Sequence, residues 1–234
     1  MAYDLSYIQK LQSDQRLQDL EWGKCANDPY HFMTHWGWTL DAIDLEHPIK
    51  LFPEKEYIKV LVDLWLKNNL LLVPKTRQMM VSWIFTTLYL WDCQFHQGRM
   101  IFFQSKMADD ADDLIKRAKF VWDHEPNFLK RYFDDNKFYD LKCNPQHNGQ
   151  SVYCKMIFPD TNSEIRGIPQ GGDVIRMQTA SGILADEMAY QPEAQAAYSA
   201  AKPTLSSKGR FTGVSTAEDN SFFENLVFDK LEQI

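Results

Sequence analysis

Positive charge is in short supply: 25 Lys and Arg against 32 Asp and Glu leave a net charge of −7 over 234 residues. That sign is opposite to what a dedicated nucleic-acid-binding module shows, so any nucleic acid must be held by a local patch and not by the overall field. Long apolar runs are missing too. The longest uncharged stretch, Gln78 to Trp91, has 14 residues, whereas a bilayer span takes about 20; it is expected to be a buried core helix. The opening MAYDLSYIQKLQSDQ carries charges early and has no apolar h-region, so no secretory signal is expected there. Cysteine is sparse and scattered. Cys25, Cys93, Cys143 and Cys154 form no CxxC and no His-paired zinc spacing, so neither a disulfide framework nor a metal cluster is indicated, and four free thiols in a reducing, intracellular compartment are expected. Internal repeats and low-complexity linkers are also lacking. What is present, 44% hydrophobic and 24% charged residues, is the composition of an ordinary globular chain with a sizeable core, forming one large domain or two small ones.

The first 48 or so residues read as helical or irregular, opening on an amphipathic turn (Leu5, Ile8, Leu11) and passing into DPYHFMTHWGWTLD. There His31 and His35 sit four apart, a spacing that can put two imidazoles on one helix face for a metal. No third ligand follows at a useful spacing, and aromatic packing explains the segment as well. From Glu54 a helix runs to Asn68-Asn69. A pattern then repeats: the apolar strand Leu70 to Val73, broken by Pro74, leads into a helix from about Val81 to His96; the strand Met100 to Phe103 leads into a helix from Ala108 to Trp122. Continuous apolar strands followed by helices imply a parallel sheet covered on both faces. Between Phe138 and Phe158 the pattern alternates, with CNPQHNGQ as the turn of a hairpin in or beside the sheet. Gly167, Gly171 and Gly172 suggest a flexible loop, Gly182 to Ala185 a third buried strand and Phe211 to Val214 a fourth. Residues 49–234 are thus expected to be one α/β domain behind an N-terminal helical extension, 1–48.

Three segments carry chemistry. The turn LLVPKTRQMMVSW joins a strand to a helix, with Lys75 and Arg77 as cations and Ser82 as a hydroxyl at the helix start. A phosphate-binding loop needs these parts: converging backbone N–H groups, a cation and a hydroxyl for Mg²⁺. The GxxxxGK[ST] pattern itself is not met, since Met80 and Val81 stand before the hydroxyl, and solvated basic residues on a plain connection would look the same. Second, Ile183-Leu184-Ala185 runs into Asp186-Glu187. In nucleotide hydrolases such a pair divides the work, one carboxylate ordering water on Mg²⁺ and the other polarising the attacking water. Third, Gly213-Val214-Ser215-Thr216-Ala217 takes a strand into small hydroxyl residues, which in helicase-like motors sense the γ-phosphate; an ordinary strand-end turn would serve as well.

Together the segments resemble the large terminase subunit of tailed bacteriophages. KTRQMMVSW is similar to that family's variant Walker A, SEIRGIPQGGDVIRMQTASGILADEMAYQPEA to the approach to its Walker B strand, and GVSTA to its coupling motif. The resemblance covers roughly residues 50 to 220. It implies an ASCE-type P-loop NTPase, an α/β fold with a central, mostly parallel sheet flanked by helices. ATP and Mg²⁺ are the implied cofactors. The phosphate loop would be Lys75, Thr76, Arg77, Gln78, Met79, Met80, Val81 and Ser82, with Ser82 and Asp186 on the metal and Glu187 the catalytic carboxylate. Ser215, Thr216 and Ala217 take the coupling role. Arg77 joins the catalytic set, and so does Arg176, ten positions before Asp186, as an arginine reaching a neighbouring subunit's nucleotide; Arg166 is its rival, and a surface ion pair is the plainer reading of Arg176. Phe52 or Tyr57 would stack on the base or pack in the core.

The resemblance implies a motor driving double-stranded viral DNA into a procapsid, ringed on a portal protein, assisted by a small terminase subunit and working in the host cell cytoplasm. The family's C-terminal nuclease is not expected, since about 17 residues follow Ala217. Two alternatives stand beside it: a helicase-like nucleic-acid-dependent ATPase, and a non-catalytic scaffold with a degenerate loop, suggested by Met80 and Val81.

Overall fold

A computed structural model describes residues 5–130, 146–147, 150–151, 154–176 and 179–231. Three helices open the chain: α1 (Leu5–Ser13), α2 (Gln15–Asn27) and α3 (Pro29–Trp36). Their joints are written in the sequence. The Asp14 carboxylate accepts from the N–H groups of Arg16 and Leu17 to cap α2, and Asp28 caps α3 with Pro29 in the first turn. A short antiparallel ribbon of β1 (Trp38–Leu40) and β2 (Ile49–Leu51) follows, then α4 (Glu56–Lys67), which buries Ile58, Val62 and Trp65 at helical spacing.

The α/β layers come next: β3 (Leu70–Pro74), α5 (Val81–Phe95), β4 (Met100–Ser105) and α6 (Ala108–His124). Strands β5 (Gln146–His147) and β6 (Gln150–Ser151) pair antiparallel, and β7 (Lys155–Phe158) pairs antiparallel with β8 (Ser163–Pro169). The chain continues through α7 (Asp173–Arg176), β9 (Gly182–Asp186), a 3₁₀ turn at Met188–Tyr190, α8 (Ala194–Ser206), β10 (Arg210–Ser215) and α9 (Phe222–Leu231). The main sheet has the order β3-β10-β9-β4-β8-β7, parallel everywhere but at the β7–β8 edge. The α/β expectation holds, with the central sheet mostly parallel and helices on both faces.

Alternation along the strands feeds two cores. Phe103, Leu184 and Val214 face α5 and the N-terminal helices, in a core that also takes in Leu11, Cys25, Phe32 and Met33. Phe102, Ile183 and Phe211 face the other way, towards α8 and α9. Helix α5, which takes up the long uncharged stretch from Val81 on, is buried over most of its length, while Gln78, Met79 and Met80 form the turn before it. It lies close on the sheet because residue 182 is glycine: a Cβ there would stand 2.5 Å from the Tyr89 ring. Tyr89 then donates to the Ile183 carbonyl at 3.0 Å and hydrogen-bonds the Thr212 hydroxyl at 2.9 Å.

Of the loop expected at Gly167, Gly171 and Gly172, the part at Gly167 is a strand, whereas Gly171 and Gly172 lie in the bend before α7. Residues 163–169 pair with β4 in parallel register, Gly167 opposite Phe103. Its glycine admits α6: a Cβ at 167 would lie 3.2 Å from the Asp112 carboxylate. Close packing, not flexibility, explains the residue. Of the hairpin expected between Phe138 and Phe158, β5 and β6 pair within and just after the stretch read as its turn, while β7 takes its partner, β8, from beyond that range; the segment from Phe138 to position 145, Cys143 with it, lies outside the described residues. Cys25 and Cys93 are buried free thiols, and Cys154 is buried as well. Among the described residues no helix is long and apolar enough to cross a membrane.

His31 and His35 do not converge as a ligand pair. Their rings stack at 4.2 Å, and His31 Nε2 sits 2.7 Å from the Glu21 carboxylate, beside Cys25. Glu21, fully buried on α2, also accepts from the Tyr7 hydroxyl (3.1 Å), Lys24 (3.2 Å) and the Trp36 indole (3.0 Å), and so ties α1, α2 and α3 together.

Candidate functional site

At the carboxyl ends of β3, β4, β9 and β10 lies a cleft of about 640 Å³, the edge where open parallel sheets bind ligands. The register aligns its contributors. Ser215 pairs with Pro74, and Val214 with Asp186, so the residues after β3, β9 and β10 leave the sheet in one row. The Lys75 N–H extends the ladder one step beyond Pro74 by donating to the Ser215 carbonyl at 2.9 Å.

The turn from β3 into α5 makes its bend without glycine. Gln78 (φ 65°) and Met80 (φ 54°) both occupy the left-handed region, where a non-glycine residue carries about 1–3 kcal/mol of strain. Met80 stands at the N-cap of α5 and offers no side-chain hydrogen bond, so the first N–H groups of that helix are left for other acceptors. In the first turn the Ser82 hydroxyl donates to the Asp186 carboxylate at 3.0 Å.

The acid pair splits in direction. Asp186 ends β9, and Glu187 swings away in the left-handed conformation (φ 47°, ψ 44°). Asp186 is nearly buried, and burial is the main force raising its pKa above the ordinary carboxylate value; the Ser82 hydrogen bond opposes it, adjacent Glu187 adds to it, and Arg117 and Lys75 counter it. Glu187 is more open, with 39% of its side chain exposed, and meets Lys75 Nζ at 2.7 Å. Its other oxygen takes only long contacts: the Ser215 hydroxyl at 3.4 Å, the Thr216 N–H at 3.4 Å and the Thr216 hydroxyl at 3.5 Å. Behind them the Thr216 hydroxyl donates to the Tyr190 hydroxyl at 3.1 Å, and Tyr190 donates to the Ala217 carbonyl at 3.4 Å.

The structure therefore gathers Lys75, Arg77, Gln78, Ser82, Asp186, Glu187 and Thr216 around one cleft. Thr76 and Met80 belong to the turn without lining the cleft, and Met79 and Val81 face a neighbouring hollow. That hollow, about 420 Å³ and mostly apolar, shares Lys75 with the cleft and is walled by Tyr57, Val60, Val73 and Met79. Tyr57 donates to the Met79 carbonyl at 3.4 Å. Phe52, the other aromatic considered for a base, is 2% exposed inside the core and out of a ligand's reach.

Neither arginine considered as a finger reaches the cleft within this chain. Arg166 lies on β8 and is held by Glu164 through Nε at 2.9 Å and Nη2 at 2.8 Å. Arg176, at the end of α7, is exposed and pairs with Asp173 at 3.2 Å over a separate pocket walled by Pro203 and Thr204. Other cleft residues have no counterpart in the sequence reading, among them Lys106 and Arg117, at the head and on the flank of α6, and Tyr190. For Lys106 a signal existed, since α6 follows a buried strand just as α5 does and opens at the same rim; Arg117, well inside the helix, had none.

No family model and no curated protein matches the sequence. Solved structures do. The large terminase of bacteriophage HK97 superposes with a TM-score of 0.65 at 10% identity, covering 89% of this chain and 41% of that one. The fold is that of a phage large terminase. The large terminase of a thermophilic bacteriophage agrees, with a TM-score of 0.53 at 13% identity over 78% of this chain and 44% of that one. A second structure of that thermophilic terminase, solved in complex with ADP, matches with a TM-score of 0.53 at 12% identity over 77% of this chain and 43% of that one. The chain thus spans less than half the length of these terminases. β10 lies between β3 and β9, so the expected coupling segment meets Lys75 through the Ser215 carbonyl and Glu187 through Ser215 and Thr216.

Proposed function

We propose that this chain is an ATP-hydrolysing motor domain of a viral DNA-packaging terminase. One observation carries the reading: three segments far apart in sequence meet in one cleft, with Lys75 on Glu187, Ser82 on Asp186, and Ser215 and Thr216 on Glu187. A hydroxyl and a carboxylate 3.0 Å apart are hard oxygen donors of the kind Mg²⁺ prefers. Ser82 and Asp186 would hold that ion, which when bound neutralises charge on the phosphates.

The chain's own groups supply the rest. The uncapped start of α5, with Arg77 and Gln78, receives phosphate oxygens, and the hollow beside Tyr57 and Met79 takes the base. Lys75 exchanges Glu187 for the phosphates as the nucleotide enters, which frees the carboxylate. Glu187 then accepts a proton from the attacking water as its oxygen bonds to the γ-phosphorus and the bond to the β-phosphate oxygen breaks, leaving ADP and inorganic phosphate. Ser215 and Thr216 lose their contact with Glu187 when it turns to the water, and that loss marks the hydrolytic state on β10.

Double-stranded DNA, a portal protein, a small terminase subunit and self-association into a ring complete the proposal, in the host cytoplasm. Arg176, exposed and loosely paired, would serve a neighbour's cleft and not its own. Steady-state hydrolysis by the wild type and Glu187→Gln tests the enzymatic part; equal rates overturn it. Mixing Arg176→Ala with Glu187→Gln subunits tests the ring. Activity recovered in the mixture supports an arginine acting between subunits, and none recovered removes that role.

A further inference from the structure

Helix α6 presents to the cleft a guanidinium that none of the three motifs accounts for. Arg117, Asp113 and Leu114 of α6 line the same cleft as Lys75 and Ser82. Its neighbours on the helix are committed: Lys116 pairs with Asp113 at 2.7 Å and Lys119 with Asp123 at 2.6 Å. Among the described residues Arg117 has no carboxylate within ion-pair distance. Instead its Cζ lies 5.9 Å from the centre of the Trp83 ring.

Trp83 follows Ser82 in the first turn of α5, and its ring meets Phe120 edge-on at 5.8 Å, less than one helical turn along α6 from Arg117. The indole is thus wedged between the two helices and rests Arg117 beside the metal-side residues. Arg117 lines the same cleft as Asp186 and Glu187, and its charge favours the ionised form of Asp186. The base hollow of Tyr57 and Met79 lies on the far side of Lys75. A triphosphate laid from that hollow past Lys75 towards Asp186 ends with its last phosphoryl group facing α6.

A cation resting on an aromatic ring is held by about 0.5–2 kcal/mol. Charge-assisted bonds to a phosphate are stronger, and the guanidinium fork matches phosphate oxygens two at a time. The ring is therefore a parking place from which a phosphate can take the arginine.

We propose that Arg117 leaves Trp83 to bond the terminal phosphoryl group of a nucleoside triphosphate bound in the same chain, so that α6 distinguishes triphosphate from diphosphate. The proposal rests on the nucleotide reading above. It gives α6 a reason to move: Asp112, on the same helix, accepts from the Cys154 N–H at 3.3 Å, and Gly167 donates to the Cys154 carbonyl at 2.8 Å. A pull on Arg117 therefore reaches β8 and the edge of the sheet.

The test is calorimetry on the full chain with Mg-ADP and with Mg-AMP-PNP, for the wild type, Arg117→Ala and Arg117→Lys. A lost charge-assisted hydrogen bond predicts AMP-PNP affinity about 10-fold lower in Arg117→Ala, ADP affinity within about 2-fold of wild type on the same scale, and Arg117→Lys between the two. Tryptophan emission should change with AMP-PNP and not with ADP, and Trp83→Phe should remove that change. Equal losses for both nucleotides mark a structural role for Arg117 and overturn the proposal; unchanged AMP-PNP affinity overturns it alone and leaves the nucleotide reading intact. A wild type that binds neither nucleotide overturns the nucleotide reading and this proposal with it.

Discussion

Glu21 and Glu187 are the same side chain in opposite circumstances. Glu21 is fully buried, and among the described residues Tyr7, Lys24, His31 and Trp36, from three helices, converge on it at 2.7 to 3.2 Å. Glu187 stands at a strand end with one short contact, to Lys75 at 2.7 Å, and three long ones at 3.4 to 3.5 Å. A carboxylate whose lone pairs are filled from all sides cannot take a proton or turn to a new partner; it holds helices together. One with a single exchangeable cation and slack elsewhere can do both. What separates a locked acid from an exchangeable one here is the number and grip of the donors, and burial follows from that.

The contrast breaks most sharply at Glu187. Glu187→Gln should lower ATP hydrolysis by about 10²- to 10⁴-fold, the usual worth of a general base, while leaving the urea midpoint in place; a large loss of stability instead would make Glu187 another Glu21. The reverse holds at Glu21. Glu21→Ala leaves the Trp36 indole, the Tyr7 hydroxyl and the His31 ring without this acceptor and should cost about 3 kcal/mol in urea unfolding, with Mg-ADP affinity unchanged in the protein that remains folded.

Asp186 lies between the two cases, buried like Glu21 yet held by a single side-chain donor, Ser82. Its folded pKa is raised above the ordinary 3.8, so between those values the folded protein binds more protons than the unfolded chain. Stability of the ligand-free protein should therefore rise as pH falls through the raised value towards 3.8, and level off below it. Protons should displace Mg²⁺ over the same window, seen as weaker Mg-ADP binding. Asp186→Asn should stabilise the ligand-free protein by about 1 kcal/mol, since a neutral amide avoids the desolvation cost, and abolish Mg²⁺-dependent binding. The smallest effect is expected at Gln78→Gly. Relief of the positive φ, offset by the entropy of glycine, should raise stability by about 0.5–1 kcal/mol, while nucleotide affinity falls.

The parallel sheet was legible because β3, β4, β9 and β10 are continuous apolar runs that end in polar turns. The cleft was legible in part for the same reason: its motifs sit where those runs stop. β8 was harder to read, since SEIRGIP mixes charge with glycine, and its strand state comes from pairing with β4 and from α6 pressing on Gly167. Sequence cannot show how close a distant helix comes. Arg117 was missed on that account, for nothing local distinguishes it from Lys116 or Lys119; only the Trp83 ring, 34 positions earlier in the chain, sets it apart. Arg176 and Arg166 had the opposite fault, standing near the acid pair in sequence and away from the cleft in space.

Ser215 touches both sides of the working gap. Its carbonyl takes the Lys75 N–H at 2.9 Å, and its hydroxyl accepts from the Ala189 N–H at 3.1 Å and donates to Glu187 at 3.4 Å. It acts as the gauge block of the cleft, a spacer of fixed thickness between the lysine jaw and the acid jaw. A residue there with a larger side chain would reset the width of the jaws without altering either one.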